Sequence, residues 1–357
     1  MTCEFWTRLV RSITSCSEGL VGLVGDVYGA GYNWAGQLAI SDKADKLVFS
    51  ASDSGFGTEV TGIAVGDHHS LVIKGGDLYG VGSNNQGPLG LGDNAARDVL
   101  TLITTGVSAC WASVNQSFYL KDGSLYGAGE NTNGQLGTGD NLDKNTFNLV
   151  ATGVSSVAVG YTFTAIIKDG DLYTTGLNTD GQLGLGHNSA TNVFTLADTG
   201  VSMIAAGYSH LLVIKLGDLY ATGNGNSGQT GFGDNADRNS LVVVTTGVDF
   251  ISCGNANSAI LKSGVLYTSG ANFWGQLGSG DTTSTNSFVE VDSGVSSIVC
   301  GGGHHSIMIK GGSVYATGRN NFGQLGVNDT LNKSSFTLVG TTAVLAACGT
   351  NHSLILV

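Results

Sequence analysis

The chain has 357 residues, 57 of them glycine and one proline, with 41% hydrophobic and 12% charged residues. That composition supplies a core and many tight turns, and it is neither collagen-like nor disordered. A formal net charge of −12 with only 15 lysines and arginines argues against a nucleic-acid partner, because basic side chains drive phosphate binding. No run of about 20 apolar residues is present to span a membrane.

The N-terminal stretch MTCEFWTRLVRSITSCSEGL is a poor secretion signal, since Glu4, Arg8 and Arg11 interrupt its apolar residues instead of preceding them. Phe5, Trp6, Leu9, Val10 and Ile13 fall on one helical face. Residues 1–18 are therefore expected to form an extension, either a short capping helix or a segment that docks to a partner or larger assembly.

From residue 19 onward the chain repeats itself. GYNWAGQLA, GSNNQGPLG, GENTNGQLG, GLNTDGQLG, GNGNSGQTG, GANFWGQLG and GRNNFGQLG begin at residues 31, 82, 129, 176, 223, 270 and 318, spaced by 47 to 51 residues. Each unit opens with an alternating strand of the VSSVAVG type and continues with an apolar strand such as TAIIK. A DG or GG dipeptide then marks a hairpin whose central residues need positive φ. LYTTG follows as a third strand, and after a glycine-rich loop a run such as TFNLVAT supplies a fourth. Four short strands per unit is the arithmetic of a propeller blade, and seven units predict an all-β, seven-bladed propeller.

The last unit, GTNHSLILV at 349–357, stops where the others place lysine, and GLVGDVYGAGYNWAGQLA at 22–39 begins in mid-unit. Together they predict a composite blade of residues 341–357 and 19–54 that closes a single propeller over residues 19–357, since open strand edges are aggregation sites. Tyr28, Tyr79, Tyr126, Tyr173, Tyr220, Tyr267 and Tyr315 are one repeated residue fit for packing between blades. Lys74, Lys121, Lys168, Lys215, Lys262 and Lys310 share one strand-end position.

The GxxHS, DGxLYxxG and GxNxxGQLG pattern resembles the regulator of chromosome condensation repeats across nearly the whole chain from about residue 20. The resemblance implies a seven-bladed β-propeller, in agreement with the independent count of units. It also implies a structural, hydrogen-bonding histidine in GxxHS.

That bears on His68, His69, His304, His305 and His352, which ring closure would bring to three successive blades. Imidazoles converging on a channel bind zinc or another transition metal. No carboxylate or cysteine is paired with them, however, and neither a metal nor a cofactor is expected. Asp42, Asp93, Asp140, Asp234 and Asp281 recur in glycine turns and read as Asx-turns, not calcium ligands. Cys253, Cys300 and Cys348 hold one register position and read as core filler. GNGNSG at 223–228 matches a dinucleotide fingerprint in form only, being one degenerate copy of a repeated loop.

Departures between units carry more information. The variable pair of GxNxxG is small, polar or acidic in four consecutive units, but it is Phe273-Trp274, Asn321-Phe322 and Trp34-Ala35 in the fifth, sixth and seventh, with Tyr32 and Arg319 alongside. Interface hot spots favour tryptophan, tyrosine and arginine. Tyr32, Trp34, Phe273, Trp274, Arg319 and Phe322 are therefore the expected partner-binding residues.

No catalytic constellation stands out. The expected function is a non-enzymatic protein–protein interaction or structural propeller with a protein partner. Abundant Asn, Ser, Thr and Gly, with few Lys and Glu, suggest a phage virion or bacterial surface component. The resemblance implies two alternatives: nucleotide exchange on a small GTPase, and enzyme inhibition of the kind a secreted β-lactamase inhibitor performs on this propeller. The plant ultraviolet photoreceptor of the family relies on a tryptophan cluster, whereas Trp6, Trp34, Trp111 and Trp274 are scattered along this sequence.

Overall fold

A computed structural model of the chain describes residues 25–52 and 59–357. The expected extension at residues 1–18, and its reading as a cap or docking helix, lie outside these residues. The described residues form 28 strands in seven four-stranded antiparallel sheets.

Blade 3 illustrates how sequence becomes sheet. Its strands are Val154–Val159, Phe163–Lys168, Asp171–Gly176 and Thr191–Asp198, hydrogen-bonded in that order. The second, FTAIIK, is buried at every residue but its terminal lysine, so it reads as a continuous apolar run. The outer strand mixes half-buried and exposed positions because one side meets water. Asp169 and Gly170 turn the hairpin at φ 53° and 86°, the left-handed pair that a two-residue hairpin requires. Blades 1, 2, 4, 5 and 6 repeat this plan over residues 60–104, 109–152, 203–246, 250–293 and 295–342.

Blade 7 is composite, as the broken unit predicts. The sheet order places Leu345–Cys348 and His352–Leu356 from the C-terminal side against Val27–Gly31 and Lys46–Ala51 from the N-terminal side. Val27 pairs with Leu356, and the ladder runs to Gly31 opposite His352. Gly31 sits at φ 99°, where a Cβ would lie against the Asn351 carbonyl oxygen, so glycine is required there.

A blade cannot bury both of its faces alone. Seven apolar clusters lie between the seven neighbouring pairs of blades. One joins Val27, Leu38, Leu354 and Leu356 of blade 7 to Val60, Ile63 and Val72 of blade 1. Six of the seven repeated tyrosines pack on these clusters; Tyr220 of blade 4, for example, lies on the cluster it shares with blade 3.

A polar latch adds to each interface. His69 Nε2 lies 2.9 Å from Ser117 Oγ, His210 Nε2 2.8 Å from Ser258 Oγ, His305 Nε2 2.8 Å from Ser353 Oγ, and His352 Nε2 3.1 Å from Ser70 Oγ. Each pair crosses from one blade to the next, and the last closes the ring. Ser70 and Ser353 give their single protons to the carbonyls of Gln37 and Gln324. His352 and His305 must therefore donate from Nε2, which fixes a neutral tautomer with the proton on that nitrogen. Where blade 3 carries Phe163 at the histidine position, blade 4 answers with Leu211, and both are buried in one cluster.

The glycine-rich loop is held by its asparagine. Asn33 donates from Nδ2 to the Asp42 carbonyl at 2.7 Å and accepts the Leu38 N–H at 2.9 Å. Asn84, Asn131, Asn178, Asn272 and Asn320 accept the corresponding leucine N–H in their own units. The repeated aspartates are Asx-turns: Asp93, for instance, accepts the Ala95 N–H at 3.0 Å and pairs with Arg97 at 2.7 Å.

Deleting residues 349–357 removes a strand whose Leu354, Ile355 and Leu356 are fully buried, each worth about 1.5–3 kcal/mol. It also leaves Val27–Gly31 as an open edge. We expect the melting temperature in calorimetry to fall by more than about 10 °C, or the cooperative transition to vanish; an unchanged transition would refute ring closure through this blade.

The latches predict a pH response. Burial lowers the pKa of His69 to about 4 and of His210 and His305 to about 3, and holds His352 well below its usual value. Between these values and about 6.5 the unfolded chain binds more protons, so stability declines as pH falls below about 6.5. The lowered carboxylates act only below the usual carboxylate value of 3.8, and Asp67, raised by burial, acts with the opposite sign. The melting temperature is expected to drop from pH 7 to pH 5, and less so in His210→Gln, which carries the residue blade 2 uses at Gln116. Equal slopes for the two proteins would exclude His210 as a contributor.

Candidate functional site

The five histidines do not assemble into a ligand set. His69, His305 and His352 are spent on serines of neighbouring blades, while His68 and His304 sit in the loops before them. Among the described residues no group of three histidine, cysteine or acidic side chains is arranged to hold a metal. The converging-imidazole reading gives way to the structural one because each buried ring faces the next blade.

The loops between first and second strands and those between third and outer strands lie at one end of the ring, here called the upper face. They are stitched together within each blade by bonds such as Ser83 N–H to the His68 carbonyl and Arg319 N–H to the His304 carbonyl. The lysine hairpins lie at the opposite end.

On the upper face the structure links the expected aromatic residues in two groups. Tyr32 packs on Phe322 with ring centroids 4.8 Å apart, and meets His68 edge-on at 5.8 Å. The Arg319 guanidinium lies 5.5 Å from the centre of the Trp274 ring. Gln276, two residues beyond Trp274, comes within 3.5 Å of His304 Nδ1, and His304 itself is held at φ 67°. Burial, and then the Arg319 charge, lower the pKa of His304. Phe273 and Trp34 stand out at 75% and 63% exposed. Arg97 and Arg238 pair with aspartates in their own loops, whereas Arg319 forms no ion pair with a described residue.

The rim of this face differs between its two sides. Asn145, Asn192, Asn239 and Asn286 donate to Asn94, Asn141, Asn188 and Asn235 of the preceding blade, an amide ladder that runs from blade 1 to blade 5. The same register carries Thr282 opposite Ser334, then Thr330 opposite Leu47, around the blades that bear the aromatics. Between blades 7 and 1 it becomes the Lys43–Asp98 ion pair at 2.9 Å.

Sequence reasoning missed a second feature at the centre of this face. The residue after the glycine of each GxxHS unit, or after Ser113 in blade 2, lines the mouth of the central channel: Asp67, Val114, Tyr161, Tyr208, Asn255 and Thr350, with Gly302 in blade 6. The mouth opens on a cavity of about 260 Å³. Backbone bonds from Asp67 N–H to the Val114 carbonyl, and from Tyr208 N–H to the Asn255 carbonyl, join this collar across blades. The available signal was that this position changes between most units, carrying Asp, Val, Tyr, Tyr, Asn, Gly and Thr in turn. Cys253, Cys300 and Cys348 line the channel wall below as free thiols, with their pKa values pushed up by burial.

Comparison with known proteins agrees with this architecture. The regulator of chromosome condensation (RCC1) repeat model matches residues 122–167, 169–214 and 311–356. Each match starts at a hairpin and ends in the second strand of the next blade, so the sequence repeat straddles two blades. Human WBSCR16 superposes with a TM-score of 0.83 at 20% identity, over 93% of this chain and 98% of its own. Prp20p of Saccharomyces cerevisiae does so at 0.82 and 17% identity, over 98% of this chain and 94% of its own. The Arabidopsis thaliana ultraviolet-B receptor UVR8 is 37% identical over 86 residues, 24% of this chain; the match spans about a fifth of the receptor's length, 20%.

Proposed function

We propose that this chain, a seven-bladed propeller of RCC1 repeats, is a non-enzymatic module that binds a protein partner through the upper face of blades 5, 6 and 7. One observation carries the reading. Large aromatic side chains and an arginine with no carboxylate partner among the described residues are grouped on one side of a ring whose other side is sealed by asparagine pairs. Exposed Phe273 and Trp34 offer anchors, and Arg319 over Trp274 offers a charge held in place by a ring. The fold likeness adds plausibility for protein partners, since Prp20p binds Gsp1p and histones and is also known bound to Kap60.

The polar, lysine-poor composition supports a virion or cell-surface setting for this module; recovery of the protein with purified virions or surface extracts tests that, and recovery in cytosol alone counts against it. A second reading, exchange-factor action on a small GTPase, rests on the family resemblance and is separated from the first by a nucleotide-release assay. Enzyme inhibition is separated by pull-down against candidate hydrolases.

The decisive comparison is affinity capture from the native source with the natural protein and a Trp274→Ser, Phe322→Ser variant, quantified by mass spectrometry. Hot-spot truncations cost about 2 kcal/mol or more each, so captured partner should fall at least ~30-fold while the fold persists. Equal capture by both proteins sinks the assignment of this surface.

A further inference from the structure

The channel mouth has a chemistry that protein binding through the aromatic side does not use. Asp67 lies in the collar, largely withdrawn from water, with its carboxylate accepting the Thr350 hydroxyl proton. Eight other aspartates, in loops or on outer strands, are paired with a lysine or arginine, as Asp42 is with Lys46 and Asp292 with Lys310. Asp67 forms no ion pair with a described residue, and no lysine or arginine lines the cavity. It is the one described carboxyl group whose pKa is pushed up, and the cause is burial. The fold has drawn a carboxylate partly out of water without pairing it to a described lysine or arginine.

Two and three blades further around the ring, Tyr161 and Tyr208 stack with centroids 4.1 Å apart and planes 13° from parallel. Both residues line the cavity, and Tyr208 is 42% exposed. The Tyr208 phenol is pushed up to about 12, first by burial and Tyr161, then by the charges of Asp67 and Glu130. Asp67 is the one charged residue in the cavity lining, so the mouth carries negative charge. A carboxylate on one side and tyrosine faces on the other is the combination that holds an ammonium group, by charge and by attraction to the aromatic quadrupole.

We propose that the collar of Asp67, Tyr161 and Tyr208 is a binding site for an alkylammonium group, supplied either by a free amine or by a lysine side chain. The cavity of about 260 Å³ is small, just below the usual range for drug-sized ligands, and suits one aliphatic chain with a charged tip. Asp67 carries the charge recognition, while the tyrosines and Asn255 line the opposite wall. The site lies at the ring centre, apart from Trp274 and Phe322, so it stands or falls independently of the partner surface.

The test is a titration of the full chain with n-butylammonium, followed by nuclear magnetic resonance of the tyrosine rings, with 1-butanol as the neutral isostere. A capped Gly-Lys-Gly peptide and its acetyl-lysine form make a second arm. Butylammonium should bind in the millimolar range or tighter and perturb the tyrosines, and butanol should bind at least tenfold more weakly. Asp67→Asn keeps the acceptor for Thr350 and removes a buried charge, so it should melt no lower than the natural protein yet lose at least tenfold in affinity. Tyr208→Leu should lose several-fold. Binding of the free amine alone assigns a small-molecule site, whereas binding of the lysine peptide but not its acetylated form assigns side-chain capture. Equal binding of butanol, or an undiminished affinity in a folded Asp67→Asn protein, overturns the proposal.

Discussion

Everything in this molecule rests on burial between blades. A four-stranded sheet of this size has two apolar faces and no way to cover either one. The ring covers both by setting each blade against its neighbours. Val60 and Ile63 need Val27 and Leu356 just as Phe163 needs Val201 and Leu211. No blade can therefore be stable alone, and a gap in the ring would expose two apolar faces at once. The composite blade is the mechanical consequence, because antiparallel pairing of Val27–Gly31 with His352–Leu356 ties the two ends of the chain into one sheet.

The histidine latches sit inside these apolar interfaces and follow their logic. A buried imidazole is tolerated there because it is neutral and because its N–H finds an oxygen on the next blade. The partner changes with the residue. Serine answers histidine, leucine answers phenylalanine, and Gln116 instead reaches the Tyr161 carbonyl at 2.7 Å. Interface identity thus varies around the ring while the packing does not. The polar loops work the same way at the rim, where amide pairs, an ion pair and hydroxyl-bearing side chains occupy one register.

Against this uniform frame, the upper face is where the repeats are free to differ. The position after Gly in GxxHS and the pair within GxNxxG are not needed for strand pairing or for the apolar clusters. Their side chains point to the channel mouth and the rim, so substitution there costs the fold little. The result is one face with two kinds of surface, a negative tyrosine-walled mouth at the centre and an aromatic, arginine-bearing side over blades 5 to 7.

Much of this was legible in the amino-acid order, and for a physical reason. Strand alternation, left-handed hairpin dipeptides, Asx-turns and a period near 47 residues are local constraints, written within one unit and repeated. They were enough to specify the blade, the number of blades and the closing of the ring by GTNHSLILV with the first unit. The tertiary structure alone decided what each repeated side chain touches. His305 finds Ser353, 48 residues away, and Asp67 meets Thr350 across 283, because closing the ring turns equal register into spatial adjacency. The collar could not be read from any single unit: it exists only where seven loops, each ordinary by itself, converge on one axis.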